Sequence, residues 1–383
     1  MINKIQSAFQ ERFLPSPSLF KAPGRVNLIG EHTDYNEGFV LPAAIDKAIY
    51  FAIAPNGQTS CRLYALDLHE SFEFPLTDFA PLASGWANYL MGVVDQLQSS
   101  GHLIQGFDCV FGGDIPVGAG MSSSAALACG LTFGLNQLFD LGLERMQMAR
   151  LAQKAEHTYA GVMCGIMDQF ACMFGKRNQV IRLDCRSMDF EYYPFDTSDY
   201  LIALCDTGLS HSLASSEYNI RPQQCEAGVA VVRQRYPQVE SLRDVSMEML
   251  IESKHEMDPL IYQRCAYVIA ENQRLKQASD YLLKRDFRSF GQQLYKSHEG
   301  LSKAYEVSCK ELDLLVEFTH SNEDVLGARM MGGGFGGCTI NLVKADKVDT
   351  FCSSMKAQYE AATNMGLKIY LTKIEEGVVN YEL

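Results

Sequence analysis

The sequence predicts an α+β fold built as two domains, and three observations carry that prediction. Its 383 residues exceed what a single hydrophobic core comfortably organises. Strand-like and helix-like stretches succeed one another in mixed order, unlike the regular alternation of a doubly wound sheet. No internal repeat and no low-complexity linker interrupts the chain. The composition, 47% hydrophobic and 21% charged, is ordinary for a soluble globular protein.

Taken in order, residues 19–29 and 38–54 have the β-branched and aromatic content of strands, broken by a turn at 30–37. Residues 107–111 form a short apolar strand leading into a glycine-bearing turn at 112–120. Small, apolar and helix-forming residues over 122–138 predict a helix, with serines where an N-cap belongs. A second helix is expected over 143–159, stopped by Gly161. The other half opens with a strand at 200–206 and a polar loop, then helices near 221–235, 260–277 and 289–306. A glycine cluster at 332–337, a strand at 338–343, a helix near 347–364 and a strand near 368–372 complete it. A boundary within 195–199 divides the chain into domains 1–197 and 198–383.

The net charge of -13 argues against a nucleic-acid surface, which usually shows as a basic face. It leaves room for a local anion site, because helix N-termini and metals act at short range. Twelve cysteines are scattered without a C-x-x-C pair, and residues 1–20 carry charges and prolines where a secretory signal needs an apolar run. No stretch approaches the roughly 18 apolar residues of a membrane span. A cytoplasmic protein with reduced thiols, no membrane partner and no nucleic-acid partner is expected. The eight histidines lack zinc-site spacing.

Gly118-Ala119-Gly120-Met121-Ser122-Ser123-Ser124 joins a strand to a helix start. Glycines admit a polyphosphate close to the backbone, amides at a helix N-terminus point at it, and a serine hydroxyl there can ligate Mg²⁺. A plain glycine turn with serine caps is the competing reading. It is not a Walker loop, because no G-x-x-x-x-G-K-[ST] occurs. The run at Gly332, Gly334 and Gly337 has G-x-G-x-x-G spacing but leads into a strand, which excludes a dinucleotide fingerprint. Close backbone packing would also explain that run.

Polar residues converge near Arg25, with Glu31, His32, Thr33 and Asp34 a few positions on and apolar strands on either side. A hydroxyl-rich ligand needs such a set, in which carboxylates accept and His and Arg donate; a solvated turn is the alternative. Glu156 sits at the expected end of a helix, where the macrodipole disfavours an acid without another partner. Asp168 lies in an apolar, methionine-rich setting, and pairing with Arg25 would offset the cost of its burial. A helix cap for Asp168 and a surface charge for Glu156 are the plainer readings.

Together these motifs resemble the galactokinase family of the GHMP small-molecule kinase superfamily over essentially the whole chain. Residues 24–42, with Glu31-His32-Thr33-Asp34-Tyr35, look like the family's signature, 118–124 like its phosphate loop and 332–337 like its third motif. Residues 155–161, 164–170 and 212–218 follow the same pattern. The resemblance implies an N-terminal domain like the second domain of ribosomal protein S5 and a ferredoxin-like C-terminal domain, with the site between them. It implies transfer of the ATP γ-phosphoryl group to the anomeric hydroxyl of galactose, with Mg²⁺ as cofactor; a monomer is expected. Asp168 would accept the proton and Arg25 would orient it. Glu31, His32, Thr33, Asp34, Gly165 and Tyr218 would bind sugar. Gly118, Ala119, Gly120, Met121, Ser122, Ser123 and Ser124 would wrap the phosphates, with Trp86 and Tyr89 near the adenine. Ser124 and Glu156 would ligate the metal. Met121 replaces a common leucine of similar volume. A kinase of N-acetylgalactosamine or arabinose and a non-catalytic galactose sensor are the alternatives.

Overall fold

The computed structural model describes residues 1–13, 16–116, 118–195, 198–209 and 214–381. The first half runs α1 (Ile2–Arg12), β1 (Ser18–Asn27), β2 (Phe39–Val40), β3 (Pro42–Pro55), β4 (Ser60–Ala65), β5 (Glu70–Pro75), α2 (Ala87–Ser99), β6 (Phe107–Gly113), α3 (Ser123–Leu138), α4 (Arg145–Ala155), α5 (Met167–Phe174), β7 (Gln179–Asp184) and β8 (Phe190–Pro194). The second runs β9 (Tyr200–Asp206), α6 (Ala214–Arg235), α7 (Met247–Glu252), α8 (Pro259–Leu283), α9 (Phe287–Glu299), α10 (Lys310–His320), β10 (Val325–Met330), β11 (Cys338–Lys344), α11 (Val348–Thr363), β12 (Lys368–Thr372) and β13 (Val379–Asn380). The expected boundary at 197/198 touches residues 196–197, which lie outside the described residues.

Strands of the first half, joined at one edge by β13 from the end of the chain, form a sheet in the order β13-β1-β3-β6-β4-β5, and a smaller one has the order β2-β7-β8. Between β1 and β3 the register shifts at Pro23/Arg25. Proline cannot donate to the ladder, and a bulge there bends the strand and re-aims the next side chain, Arg25. Gly24 is needed at the bend, because a Cβ would fall 2.7 Å from the Met121 carbonyl. Helix α3 is apolar on every side and wholly buried from Ala125 to Asn136 against β1 and β3.

Strands β10-β11-β9-β12 form an antiparallel sheet. With α6–α10 connecting β9 to β10 and α11 connecting β11 to β12, this is the ferredoxin-like plan. The two halves share a core in which Phe20, Phe51 and Leu131 belong to the same buried cluster as Leu275, Phe290 and Ile340. The chain then recrosses: Ile374 bridges Ile45, the Gly377 amide donates to Gly175 at 2.9 Å, and β13 pairs with β1.

Several elements differ from the sequence reading. The helix expected over 143–159 ends at Ala155 and continues as a π turn, Glu156–Ala160. Another π turn, Gly300–Ala304, follows α9. Helix α6 starts before Arg221 and accommodates Pro222 internally. Helices α1, α2, α5, α7 and α10, the β4–β5 hairpin and strands β7 and β8 are additions to the sequence reading. Strand β10 makes the glycine run a strand-to-strand connection. Among the described residues, no helix is long and apolar enough to cross a membrane.

Candidate active site

A cavity of about 300 Å³ opens between the loop after β1, the start of α3, α5 and the glycine run after β10; Arg25, Glu31, His32, Asp34, Ser124, Glu156, Gly165, Asp168 and Tyr218 line it. Arg25, 5% exposed, is its hub. Its Nε donates to Asp168 Oδ1 at 2.7 Å and its Nη2 to Oδ2 at 3.0 Å, while Nη1 donates to the Gly120 carbonyl. Its backbone amide donates to Met121 O at 3.1 Å. One residue therefore joins the carboxylate to the glycine loop. The guanidinium stays charged: burial opposes that, and Asp168 and Glu31 outweigh it.

In the loop, Ala119 and Met121 are buried anchors, while Gly118 is exposed and Gly120 partly so. Ser122 holds the N-cap position in a left-handed conformation (φ 58°), yet makes no side-chain cap; its hydroxyl donates to Asp168 Oδ2 instead. The expected cap is thus spent on the carboxylate. The second glycine run faces the first: a Cβ on Gly332 would lie 3.8 Å from Gly120 O, and one on Gly337 3.7 Å from Gly118 O.

Glu156 is 3% exposed and accepts from Gln169 Nε2 at 2.7 Å. Burial and then Asp168 push its carboxyl up to about 7, against hydrogen bonds from Gln169 and Ser124. Asp34 is also pushed up to about 7, first by burial and then by Asp168. Gly165 must be glycine, since a Cβ would fall 1.9 Å from Asp34 Oδ2.

Glu31 Oε1 accepts from Arg329 Nη2 at 3.0 Å and from the Gly332 amide at 2.8 Å. The Gly30 amide beside it donates to buried Glu271 at 3.0 Å. His32 has φ 62°, with Nδ1 2.7 Å from Tyr35 Oη and Nε2 3.2 Å from Gly333 O. Burial drives its pKa down to about 3 against the Gly333 carbonyl, and Arg221 and Arg329 add to the lowering. Thr33 lies outside the cavity lining, fully buried, its hydroxyl 2.8 Å from Gly30 O and 2.5 Å from Phe39 O. It braces the loop.

Trp86 is likewise not in the lining: its indole donates to Glu70 at 2.7 Å and its ring packs on Phe111. Tyr89 is near enough to Glu156 to feel its charge. Ser212, in the family-like stretch 212–218, lies outside the described residues. Sequence reasoning assigned no role to Arg329, Glu271 or Gln169. Only Gln169, adjacent to Asp168, stood inside a quoted motif.

The comparisons with known proteins agree with this geometry. The galactokinase galactose-binding signature matches residues 7–55, the GHMP kinases N terminal domain 88–176 and the GHMP kinases C terminal 278–361. The galactokinase of Roseiflexus sp. is 38% identical over 98% of this chain and 96% of its own. That of Clostridium acetobutylicum is 37% identical over 98% of each. The solved Lactococcus lactis galactokinase, complexed with galactose, superposes with a TM-score of 0.95 at 34% identity, covering 99% of both chains. Methanococcus jannaschii mevalonate kinase shares the fold alone, with a TM-score of 0.66 at 17% identity over 95% of this chain and all of that one. With both GHMP domains, the galactose signature and near full-length relatives above 30% identity, the chain belongs to the galactokinase family of ATP-dependent GHMP sugar kinases.

Proposed function

We propose that this chain transfers the γ-phosphoryl group of ATP to the anomeric hydroxyl of α-D-galactose, with Asp168 as proton acceptor, giving α-D-galactose 1-phosphate and ADP. The observation that carries the reading is the Arg25 guanidinium, shared between both Asp168 oxygens and the Gly120 carbonyl. Phosphoryl transfer demands chiefly alignment and charge neutralisation. A single cation bridging the acceptor's carboxylate and the phosphate loop serves both, and Arg25 offsets charge on the transferring group. Asp34 and Glu31 are suited to accept from sugar hydroxyls and His32 to donate, with Tyr218 and Gly165 completing the wall.

Ser124 and Glu156 fit a divalent cation. Ser124 lies at the start of α3 and Glu156 at the start of the π turn after α4; the two are hydrogen-bonded oxygen ligands, and two protein ligands suffice for Mg²⁺ when phosphates supply others. Bound there, Mg²⁺ would neutralise phosphate charge. Its twelve free thiols support a cytoplasmic setting, and we take the chain to act as a monomer.

The test is Asp168→Asn in a coupled ADP assay. Turnover should fall by roughly 100-fold or more, the scale of a lost general base, while galactose binding by calorimetry persists. A folded variant with near-normal turnover would refute the role. A sugar panel in the same assay, with the phosphorylated position identified by NMR, checks galactose against N-acetylgalactosamine and arabinose.

A further inference from the structure

The ring of His32 is hydrogen-bonded by Tyr35, three residues along the chain, and by Gly333 from a distant part, and the chemistry of these groups fixes the direction of every hydrogen bond in the set. A carbonyl oxygen only accepts, so Nε2, 3.2 Å from Gly333 O, carries the hydrogen. In the neutral imidazole Nδ1 is then the acceptor, and the Tyr35 hydroxyl at 2.7 Å must donate to it. The Tyr35 oxygen is left to accept, from the Tyr305 hydroxyl at 2.9 Å. The Tyr305 oxygen in turn accepts from the Cys225 thiol at 3.3 Å. The opposite tautomer would aim a lone pair of Nε2 at the Gly333 carbonyl.

Residues 305–307 hold both ends of this arrangement. Arg221 donates to the carbonyls of Tyr305 and Glu306 at 3.0 and 2.8 Å, and Val307 O accepts from the Phe335 amide at 2.7 Å. One segment thus sets the Nδ1 partner, through Tyr35, and the Nε2 partner, through the glycine run. Tyr305 is fully buried, so its hydroxyl has no water to turn to.

We propose that Tyr35 and Tyr305 are positioning residues for sugar recognition, locking His32 in the Nε2–H tautomer so that it offers the sugar a donor and never an acceptor. The Nε2–H facing Gly333 O is the hydrogen a sugar oxygen would share. With Glu31 and Asp34 as acceptors, the cavity then reads hydroxyls in both of their hydrogen-bonding capacities. This rests on His32 facing the sugar, as in the function proposed above.

Two measurements on the full chain test it. Long-range ¹H–¹⁵N spectra of histidine-labelled, sugar-free protein read the tautomer, with the His32 signals assigned by their loss in His32→Gln. The Nε2–H pattern is expected in the wild type, and a mixture in Tyr35→Phe. In steady-state assays, Tyr35→Phe should raise the galactose KM by about tenfold, the scale of one buried acceptor left unsatisfied, with kcat and the ATP KM near wild type. Tyr305→Phe should shift the galactose KM the same way by a smaller factor. An Nδ1–H wild type overturns the proposal, as do folded variants with an unaltered tautomer and unaltered galactose KM. If Tyr35→Phe does not fold, the wild-type spectrum and Tyr305→Phe decide. Absence of galactose turnover by the wild type would instead sink the functional reading, since the tautomer is read without sugar.

Discussion

The Glu31 carboxylate and the Arg329 guanidinium meet at 3.0 Å with both side chains all but removed from solvent, across 298 residues of sequence. Arg329 also donates to the carbonyls of Leu28, Asn27 and Met330. The loop after β1 is thereby fastened to the strand that leads into the glycine run.

Arg329→Met should destabilise the fold by about 3–5 kcal/mol, because it strands a buried carboxylate and three carbonyls. Urea denaturation checks this. Glu31→Gln in the same background should recover part of the loss, since it removes the uncompensated charge.

Gly165→Ala should disrupt sugar binding without unfolding the protein. The added methyl would overlap Asp34, which must move by about 1 Å or more, and displacement on that scale costs roughly 100-fold in kcat/KM. Steady-state kinetics against galactose, alongside an unchanged circular dichroism spectrum, provide the check.

Asp34 links stability to pH. Its folded-state pKa of about 7 stands above the ordinary 3.8. Between those values the folded chain binds more protons than the unfolded one, so this contribution is full at low pH and lost as pH rises through about 7. Asp34→Asn, neutral throughout, should gain Tm relative to wild type as pH goes from 5 to 8 in ligand-free scanning calorimetry. A constant difference would contradict the assigned environment.

Ser122 separates strain from chemistry. Its left-handed backbone suits glycine, so Ser122→Gly should be more stable than Ser122→Ala by roughly 1 kcal/mol. Both lose the hydrogen bond to Asp168 and should be slower than wild type by up to about tenfold, the scale of one hydrogen bond. Thermal melts and the coupled assay separate the two effects.

What the sequence disclosed was what is local. Gly118 to Ser124 and Glu31 to Asp34 are contiguous, and glycine spacing or polar convergence marks them without their partners. Asp168 was legible as an acid in an apolar setting, and the structure supplies Arg25 beside it. Arg329 and Glu271 were not: Arg329 is a single charge in an apolar strand, Glu271 reads as an ordinary helix ion pair with Arg274, and neither announces the partner hundreds of residues away that closes on it. Glu156 stood out at a helix end, but the π turn that begins there depends on tertiary packing. Trp86 shows the limit of the residue-level reading: only the family resemblance places it near the adenine, and its indole donates to Glu70 while its ring packs on Phe111.

The recrossing of the chain sets an order of events during synthesis. Strand β1 receives one neighbour, β3, within the first few dozen residues, but waits for β13 on its other edge. A ribosome releasing this polypeptide therefore exposes an unfinished sheet edge, adjoining the segment that delivers Arg25, until synthesis has passed Asn380. A chain lacking β13 would carry Arg25 and the loop at Gly118 to Ser124 on a platform with one side open.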